Sequence, residues 1–221
     1  MNGLPAGVLW DFDGTLVDSE TMWEEVERAM AAELGGELPD DYFKLTLGGT
    51  IDHTAAYIID TVGSDARVDE VAAALWARAS AALATGPIRW LPGVRDLVDA
   101  FGAAGVPQAL VSSGHRGYLE VTLSRLVPSP FASVVAGDEV THNKPHPDPY
   151  LRAIDALGVP AERCLVIEDS PTGAAAGLAS GAAVVAVSTA STFEPSPRLL
   201  VIDSLEGVSL ERLLVLMAGL S

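Results

Sequence analysis

Residues 7–15 read Gly-Val-Leu-Trp-Asp-Phe-Asp-Gly-Thr, a short apolar run that ends in two aspartates one residue apart. Side chains two positions apart on a β-strand point to the same face. We therefore expect Asp11 and Asp13 to emerge together at the end of a buried strand, with Phe12 turned toward the core. Gly14 allows a sharp exit from that strand. Two adjacent carboxylates repel each other, so one must be protonated or a cation must bind.

The rest of the chain alternates short apolar runs with helical patterns, which is typical of a parallel sheet covered by helices on both faces. The further apolar runs are residues 107–113, 133–137, 164–169, 183–188 and 199–203. The helical stretches are residues 93–104, 117–126, 147–157, 172–180 and 205–218. We predict an α/β fold whose core is a Rossmann-like parallel sheet.

One interval departs from this alternation, because more than 90 residues separate the first two apolar runs and contain no convincing strand. Their apolar residues recur at helical spacing. These are Trp23, Val26, Met30 and Leu34, then Val68, Val71, Leu75, Ala79 and Leu83. We predict an inserted all-helical cap domain at residues 16–90 and an α/β core formed by residues 1–15 and 91–221. Such a cap would lie over the carboxyl ends of the strands, where ligands bind; an ordinary long crossover is the alternative.

The composition excludes several classes of protein. The 221 residues include 30 acidic and 13 basic side chains, for a net charge of −17, and 49% are hydrophobic. A chain this apolar is not disordered, and its negative charge repels nucleic acids and anionic lipids. No apolar run approaches the ~20 residues of a membrane span, residues 1–7 lack a signal-peptide pattern, and the single cysteine, Cys164, excludes an intrachain disulfide. We expect a cytoplasmic monomer that binds neither nucleic acid nor membranes.

Polar side chains also follow two later apolar segments. Ser112 precedes small residues at a strand end, an arrangement that offers a hydroxyl and backbone N–H groups to a phosphate, although such serines usually cap helices. Lys144 lies in a turn that nearby prolines hold rigid, whereas a loop lysine is normally just solvated. His142 and His146 are four residues apart, but the prolines forbid the helix in which that spacing makes a zinc site, so we expect no metal there.

Glu168 and Asp169 form a second acidic pair at the end of the fourth apolar run. With Asp11 and Asp13 they carry a charge of −4, which Lys144 reduces to −3 and a divalent cation would reduce to −1. Oxygen ligands with room for water suit Mg²⁺ better than zinc or copper. We therefore expect the four carboxylates to gather around Mg²⁺.

Four motifs occur in one order along the chain: Asp11-x-Asp13-Gly-Thr, the strand end at Ser112, Lys144-Pro145 and Glu168-Asp169. In this order and in these strand contexts they resemble the haloacid dehalogenase superfamily of phosphotransferases. Residues 11–20 are similar to the subgroup with a helical cap inserted after the first strand, close to β-phosphoglucomutase and the sugar-phosphate phosphatases. The resemblance covers nearly the whole chain and implies a haloacid dehalogenase-like fold.

The resemblance implies a role for each matching carboxylate. Asp11 matches the nucleophile that takes the phosphoryl group as an aspartyl-phosphate, and Asp13 matches the general acid/base. The metal shell, for Mg²⁺, matches Asp11, Asp169 and the backbone carbonyl of Asp13, with Glu168 as a nearby helper.

Further implied roles concern the substrate. Ser112 and Lys144 match the groups that hold the transferring phosphoryl oxygens, and Thr15 is expected near Asp13, which it would steady. The other residues expected at the substrate are Ser113, Gly114, His115 and Arg116. For the last two, simple solvation at a helix start is the alternative.

The implied activity is Mg²⁺-dependent hydrolysis of a small phosphomonoester, such as a sugar phosphate. A dehalogenase would need the first aspartate alone and no metal. A phosphomutase of this type has an arginine in the cap's substrate loop and a histidine early in the first cap helix, where this chain has residues 47–52 and Trp23. Because Asp52 would repel a second phosphate, we expect a phosphatase, with a phosphomutase as the alternative. A receiver-type phospho-switch, the non-enzymatic alternative, is much shorter and lacks the Asp-x-Asp pair.

Overall fold

A computed structural model of the chain describes residues 3–46, 50–188 and 191–220, without the side chain of Lys44. The chain divides into two compact units. One consists of Met1–Asp18 and Arg89–Ser221, and the other is Ser19–Ile88. None of the described helices combines the length and the apolar character needed to cross a membrane.

The first unit contains a sheet of six parallel strands, counted over the described residues, in the order β3-β2-β1-β4-β5-β6. The strands are β1 (Gly7–Trp10), β2 (Gln108–Val111), β3 (Ser133–Val135), β4 (Cys164–Glu168), β5 (Ala183–Val187) and β6 (Leu199–Ile202). Each lies within an apolar run, and the central strands β1, β2 and β4 are buried along their whole length. The predicted parallel α/β core is confirmed.

The helices follow the strands and fill the long insertion. In chain order they are α1 (Glu20–Glu33), α2 (Phe43–Thr46), α3 (Ile51–Val62), α4 (Val68–Thr85), α5 (Val94–Ala103), α6 (Arg116–Leu123), α7 (Asp148–Leu157), α8 (Pro171–Ala179) and α9 (Leu210–Met217). The predicted start of the last helix at residue 205 is wrong. Ser209 caps α9 by accepting a hydrogen bond from Arg212 N, and Gly207 before it has a φ of +68°.

The helical unit Ser19–Ile88 is built from α1 to α4 around its own apolar core. Tyr42, Ile58 and Leu75 are fully buried there, and Trp23 packs edge-on against Trp76 with ring centroids 5.3 Å apart. The expected substrate loop at residues 47–52 falls partly outside the described residues, because Leu47, Gly48 and Gly49 are not among them.

The strand order places one pair of strand ends at the centre of the sheet. It reverses between β1 and β4, and ligands bind beyond the carboxyl ends of the strands at such a point. Trp10 pairs with Leu110 on one side and with Ile167 on the other. Asp11 therefore leaves β1 beside Glu168, and its N–H donates to Ile167 O at 3.0 Å.

Candidate active site

Lys144 lies at the centre of the polar group beyond these strand ends. Its Nζ is 2.6 Å from Asp11 Oδ1, 2.7 Å from Glu168 Oε1 and 3.1 Å from Val111 O. Its side chain is only 3% exposed, and an ammonium group has three protons to donate. The three acceptors therefore satisfy this buried cation and connect the ends of β1, β2 and β4.

Asn143 holds the backbone of this lysine in place. Its side-chain amide donates to Ser113 O at 3.1 Å, and its amide oxygen accepts from Lys144 N at 2.8 Å. The segment before α7 is thereby tied to the loop after β2. Sequence reasoning missed Asn143, although its position directly before the lysine was a usable signal.

Glu168 is saturated with protein donors. Its Oε1 accepts from Lys144 and, at 2.7 Å, from the hydroxyl of Tyr150, while its Oε2 accepts from the hydroxyl and N–H of Ser170 and from Asp169 N. The residue is fully buried. A metal ion bound to Glu168 would have to displace these donors, so its carboxylate is better suited to organising the site.

Two glycines let the backbone pass close to the carboxylates. A Cβ on Gly173 in α8 would lie 1.7 Å from Glu168 Oε1, and a Cβ on Gly14 would lie 2.2 Å from Asp169 Oδ2. Gly14 also has a φ of +75°, in the left-handed region where other residues are strained. A larger residue at either position would displace a carboxylate of the site.

The electrostatics of the acidic group show a shortage of positive charge. Asp11, Glu168 and Asp169 each offer an oxygen within 4.8 Å of the others. Burial and the charge of Glu168 raise the pKa of Asp11 to about 7. Burial and the charges of Asp11 and Glu168 raise the pKa of Asp169 to about 8. A further cation would stabilise both groups as carboxylates, so the donor set fits a hard divalent ion.

The charge of Lys144 itself is secure. Burial lowers the pKa of Lys144, but the charges and hydrogen bonds of Asp11 and Glu168 outweigh this, and the net shift is upward. Lys144 therefore stays an ammonium group across the physiological range. Its single positive charge faces three carboxylates, and this leaves the imbalance that raises the pKa values of Asp11 and Asp169.

Asp13 does not join this group of oxygens. Its Oδ1 accepts a hydrogen bond of 2.6 Å from the hydroxyl of Tyr118, a buried residue of α6. The strand-alternation argument for Asp11 and Asp13 was wrong, because β1 ends at Trp10 and the chain then turns through Gly14. Tyr118 was missed, and its place on the buried face of a helix gave no sign of a polar contact.

Thr15 lies beside a different carboxylate from the one expected. Its hydroxyl is 3.4 Å from Asp169 Oδ1, and the residue is buried. The prediction that Thr15 steadies Asp13 is replaced by a long hydrogen bond to Asp169. The tight turn at Gly14, which brings residues 14 and 15 toward the end of β4, is the reason for the difference.

The loop after β2 presents its serines as expected, at the end of the strand. Ser112 is 1% exposed and its Oγ accepts a hydrogen bond of 2.9 Å from Gly114 N. Since this bond uses a lone pair, the hydroxyl proton remains available to a ligand. Ser113 is exposed, and Gly114 O accepts from Gly137 N.

Arg116 is engaged away from the expected substrate contacts. Its guanidinium donates to Glu139 through Nε at 3.1 Å and Nη2 at 2.6 Å, and Nη2 also donates to Val134 O. His115 Nδ1 lies 3.7 Å from Asp138 Oδ2. The ion pair with Glu139 fastens the start of α6 to the segment after β3, so Arg116 has a structural role that the sequence argument did not foresee.

Comparison with known proteins agrees with this architecture. Residues 8–187 match the model of the haloacid dehalogenase-like hydrolase family, and the chain belongs to this family. Protein CbbY from Rhodobacter capsulatus is 33% identical over 190 residues, which cover 80% of this chain and 83% of that protein. Hexitol phosphatase A from Escherichia coli is 32% identical over 222 residues, which cover 93% of this chain and 94% of that protein.

Solved structures share the fold over almost the whole chain. CbbY from Rhodobacter sphaeroides, in complex with phosphate, is 27% identical with a TM-score of 0.79 and covers 98% of this chain and 99% of its own. A variant of CbbY from the same organism was solved with xylulose-(1,5)bisphosphate, and its TM-score is 0.80 at 26% identity, over 99% of this chain and 100% of its own. β-Phosphoglucomutase from Clostridium difficile has a TM-score of 0.80 over 97% of each chain, but at 18% identity it shows the fold alone.

Proposed function

We propose that this protein is a Mg²⁺-dependent phosphatase that hydrolyses a small phosphomonoester through an aspartyl-phosphate at Asp11. The observation that carries the proposal is the Asp11 carboxylate at the end of β1, held by the Lys144 ammonium at 2.6 Å and grouped with Asp169. Family membership and the relatives named as phosphatases support this reaction class.

The first chemical step uses the oxygen of Asp11 that Lys144 does not hold. Oδ2 forms a bond to phosphorus as the bond between phosphorus and the leaving oxygen breaks, and Asp13 gives that oxygen a proton. In the second step Asp13 takes a proton from water while the water oxygen attacks phosphorus. The bond between phosphorus and Asp11 then breaks, so the products are an alcohol and inorganic phosphate.

The residues that would hold Mg²⁺ are Asp11, Asp169 and the backbone carbonyl of Asp13. The raised pKa values of Asp11 and Asp169 support this assignment, because an added cation favours their charged forms. Bound Mg²⁺ supplies charge neutralisation for the phosphoryl oxygens. Glu168 acts beside it by holding Lys144, since both of its carboxylate oxygens already accept hydrogen bonds from the protein.

The phosphoryl group binds where β2 ends. Ser112 donates its hydroxyl proton to a phosphoryl oxygen, and the hydrogen bond from Gly114 N orients that hydroxyl. Lys144 neutralises charge on Asp11 so that the nucleophile can approach an anion. Substrate choice by a helical cap at residues 16–90, with the chemistry in residues 1–15 and 91–221, stays a prediction, as do the cytoplasmic location and the monomeric state.

A phosphate-release screen tests the proposal. The panel contains hexitol phosphates, phosphoglycolate and xylulose 1,5-bisphosphate, each assayed with Mg²⁺ and with EDTA. We expect release from at least one substrate with Mg²⁺, none in EDTA, and a loss of order 10⁵-fold or more in Asp11→Asn, since nucleophile variants lose about that much. Asp60→Asn, which changes an exposed aspartate of the helical unit, should keep full activity.

Two results would contradict the proposal. Full activity in EDTA would remove the metal from the reaction. Conversion of β-glucose 1-phosphate to glucose 6-phosphate without phosphate release, in the presence of a trace of the 1,6-bisphosphate, would favour a phosphomutase.

A further inference from the structure

A second group of metal-ligating side chains lies outside the acidic site. His142, His146 and Asp148 flank the turn that carries Lys144, and each offers a ligand atom within 4.8 Å of the others. His142 Nδ1 is 3.2 Å from Asp148 Oδ2, and His146 Nδ1 is 3.1 Å from Asp148 Oδ1. The two imidazole rings lie side by side, with centroids 4.7 Å apart and an angle of 37° between their planes.

We propose that these three residues form a surface site for a first-row transition-metal ion, with Zn²⁺ or Cu²⁺ as occupant. Imidazole nitrogen suits these ions, whereas Mg²⁺ prefers oxygen. In a tetrahedral zinc site with bonds of about 2.0–2.1 Å, neighbouring ligand atoms lie roughly 3.3 Å apart. The two nitrogen-to-oxygen separations already have the size of such an edge.

The turn explains how the two histidines meet without a helix. The prolines do prevent helical geometry here, as expected, but His146 N donates to Asn143 O at 3.0 Å and the chain folds back on itself. Asp148 then begins α7, which fixes the carboxylate beneath the two rings. The expectation that this spacing could not assemble a metal site was therefore wrong about the geometry.

One contact in the cluster calls for a positive charge. His146 Nδ1 lies 3.2 Å from Asp148 N, which donates to it, and 3.1 Å from the Asp148 carboxylate oxygen. A nitrogen that accepts from the backbone carries a lone pair, and that lone pair faces the negative oxygen. A metal ion between them turns this repulsion into coordination. The exposed fractions of the His142 and His146 side chains are 62% and 48%, so an ion can enter from solvent and keep water ligands.

Copper binding tests the site directly. Tag-free protein saturated with Mg²⁺ is titrated with Cu²⁺, and the electron paramagnetic resonance spectrum reports the number of coordinating imidazole nitrogens. The chain has four histidines, so each is removed in turn. We expect one saturable ion with two imidazoles, and a loss of at least about tenfold in affinity with one imidazole left in His142→Asn and in His146→Asn.

Three controls separate this site from other binding. His53→Asn and His115→Asn should bind Cu²⁺ like the unaltered protein, and so should Asp11→Asn, which changes the acidic site. Zn²⁺ should raise the melting temperature of the unaltered protein and fail to do so in the double variant of His142 and His146. Non-saturable binding, or binding that survives the double variant, would overturn the proposal.

Discussion

The two acidic pairs at the ends of β1 and β4 look alike in the sequence, yet within each pair the two members have different environments. Asp11 and Asp169 belong to the group of oxygens short of positive charge. Asp13 instead accepts from Tyr118, and Glu168 is filled by protein donors. A strand end brings carboxylates into one place, whereas the donors around each carboxylate decide what it can do.

The largest effect expected within the first pair after loss of the nucleophile comes from Asp13→Asn. An amide keeps the shape of the side chain but cannot move a proton, so turnover should fall by about 10²–10⁴-fold. Phosphates with poor leaving groups should suffer most, because they need the proton. Steady-state rates over alkyl and p-nitrophenyl phosphates measure this; equal losses for all leaving groups would deny Asp13 the acid role.

The second pair is expected to separate metal binding from stability. Asp169→Asn should weaken activation by Mg²⁺ by tenfold or more in the activity assay, an order of magnitude typical of disturbed metal sites. Glu168→Gln should instead lower the free energy of unfolding by about 1–3 kcal/mol, because buried donors lose their charged acceptor. Mg²⁺ titrations and chemical denaturation distinguish the two. Identical behaviour of both variants would break the distinction between Asp169 and Glu168.

Tyr118→Phe probes the partner of Asp13. Without the 2.6 Å hydrogen bond, the Asp13 carboxyl loses its orientation, and we expect turnover to fall by about tenfold, the value of roughly one hydrogen bond to a charged group. The loss should be greater for alkyl than for p-nitrophenyl phosphate, since proton transfer is affected. Tyr57→Phe in the helical unit is the matched control. An equal loss on both substrates would indicate a structural role for Tyr118 alone.

The smallest effect concerns pH and stability without metal. The folded protein holds protons on Asp11 and Asp169 up to pH values of about 7 and about 8, whereas the unfolded chain loses them near the ordinary value of 3.8. Since the folded state binds more protons in this window, stability of the metal-free protein should fall as pH rises from about 4 to about 8. Melting curves should show this decline, and Mg²⁺ should raise the melting temperature more at pH 8 than at pH 6. The same rise at both pH values would contradict the pKa shifts.

The sequence predicted the sheet well because its strands are short runs of apolar residues that only a buried parallel sheet accommodates. The meeting of Asp11, Lys144 and Glu168 also followed from it, since parallel strands bring their carboxyl ends to one edge. The hydrogen bond from Tyr118 to Asp13 joins residues 105 positions apart, and no local pattern encodes it. The ion pair of Arg116 with Glu139 was unpredictable for the same reason.

Local geometry beyond the strands was the other limit. The alternation that predicted Asp11 and Asp13 on one face ends with Trp10, so the tight turn at Gly14 decides where Asp13 and Thr15 go. The two histidines beside Lys144 were judged by helical spacing, yet a turn brings them together. In both cases the backbone conformation of a few residues outweighed the spacing of their letters.

The most direct test is to identify the residue that carries the phosphoryl group. Asp13→Asn protein is mixed with a labelled aryl phosphate and Mg²⁺, quenched in acid within a turnover, digested and mapped by mass. The account predicts phosphate on the peptide that contains Asp11, slow decay of that label, and no label when Asp11 is also changed to Asn. Phosphate on another residue, or release of product with no labelled protein at any quench time, would contradict it.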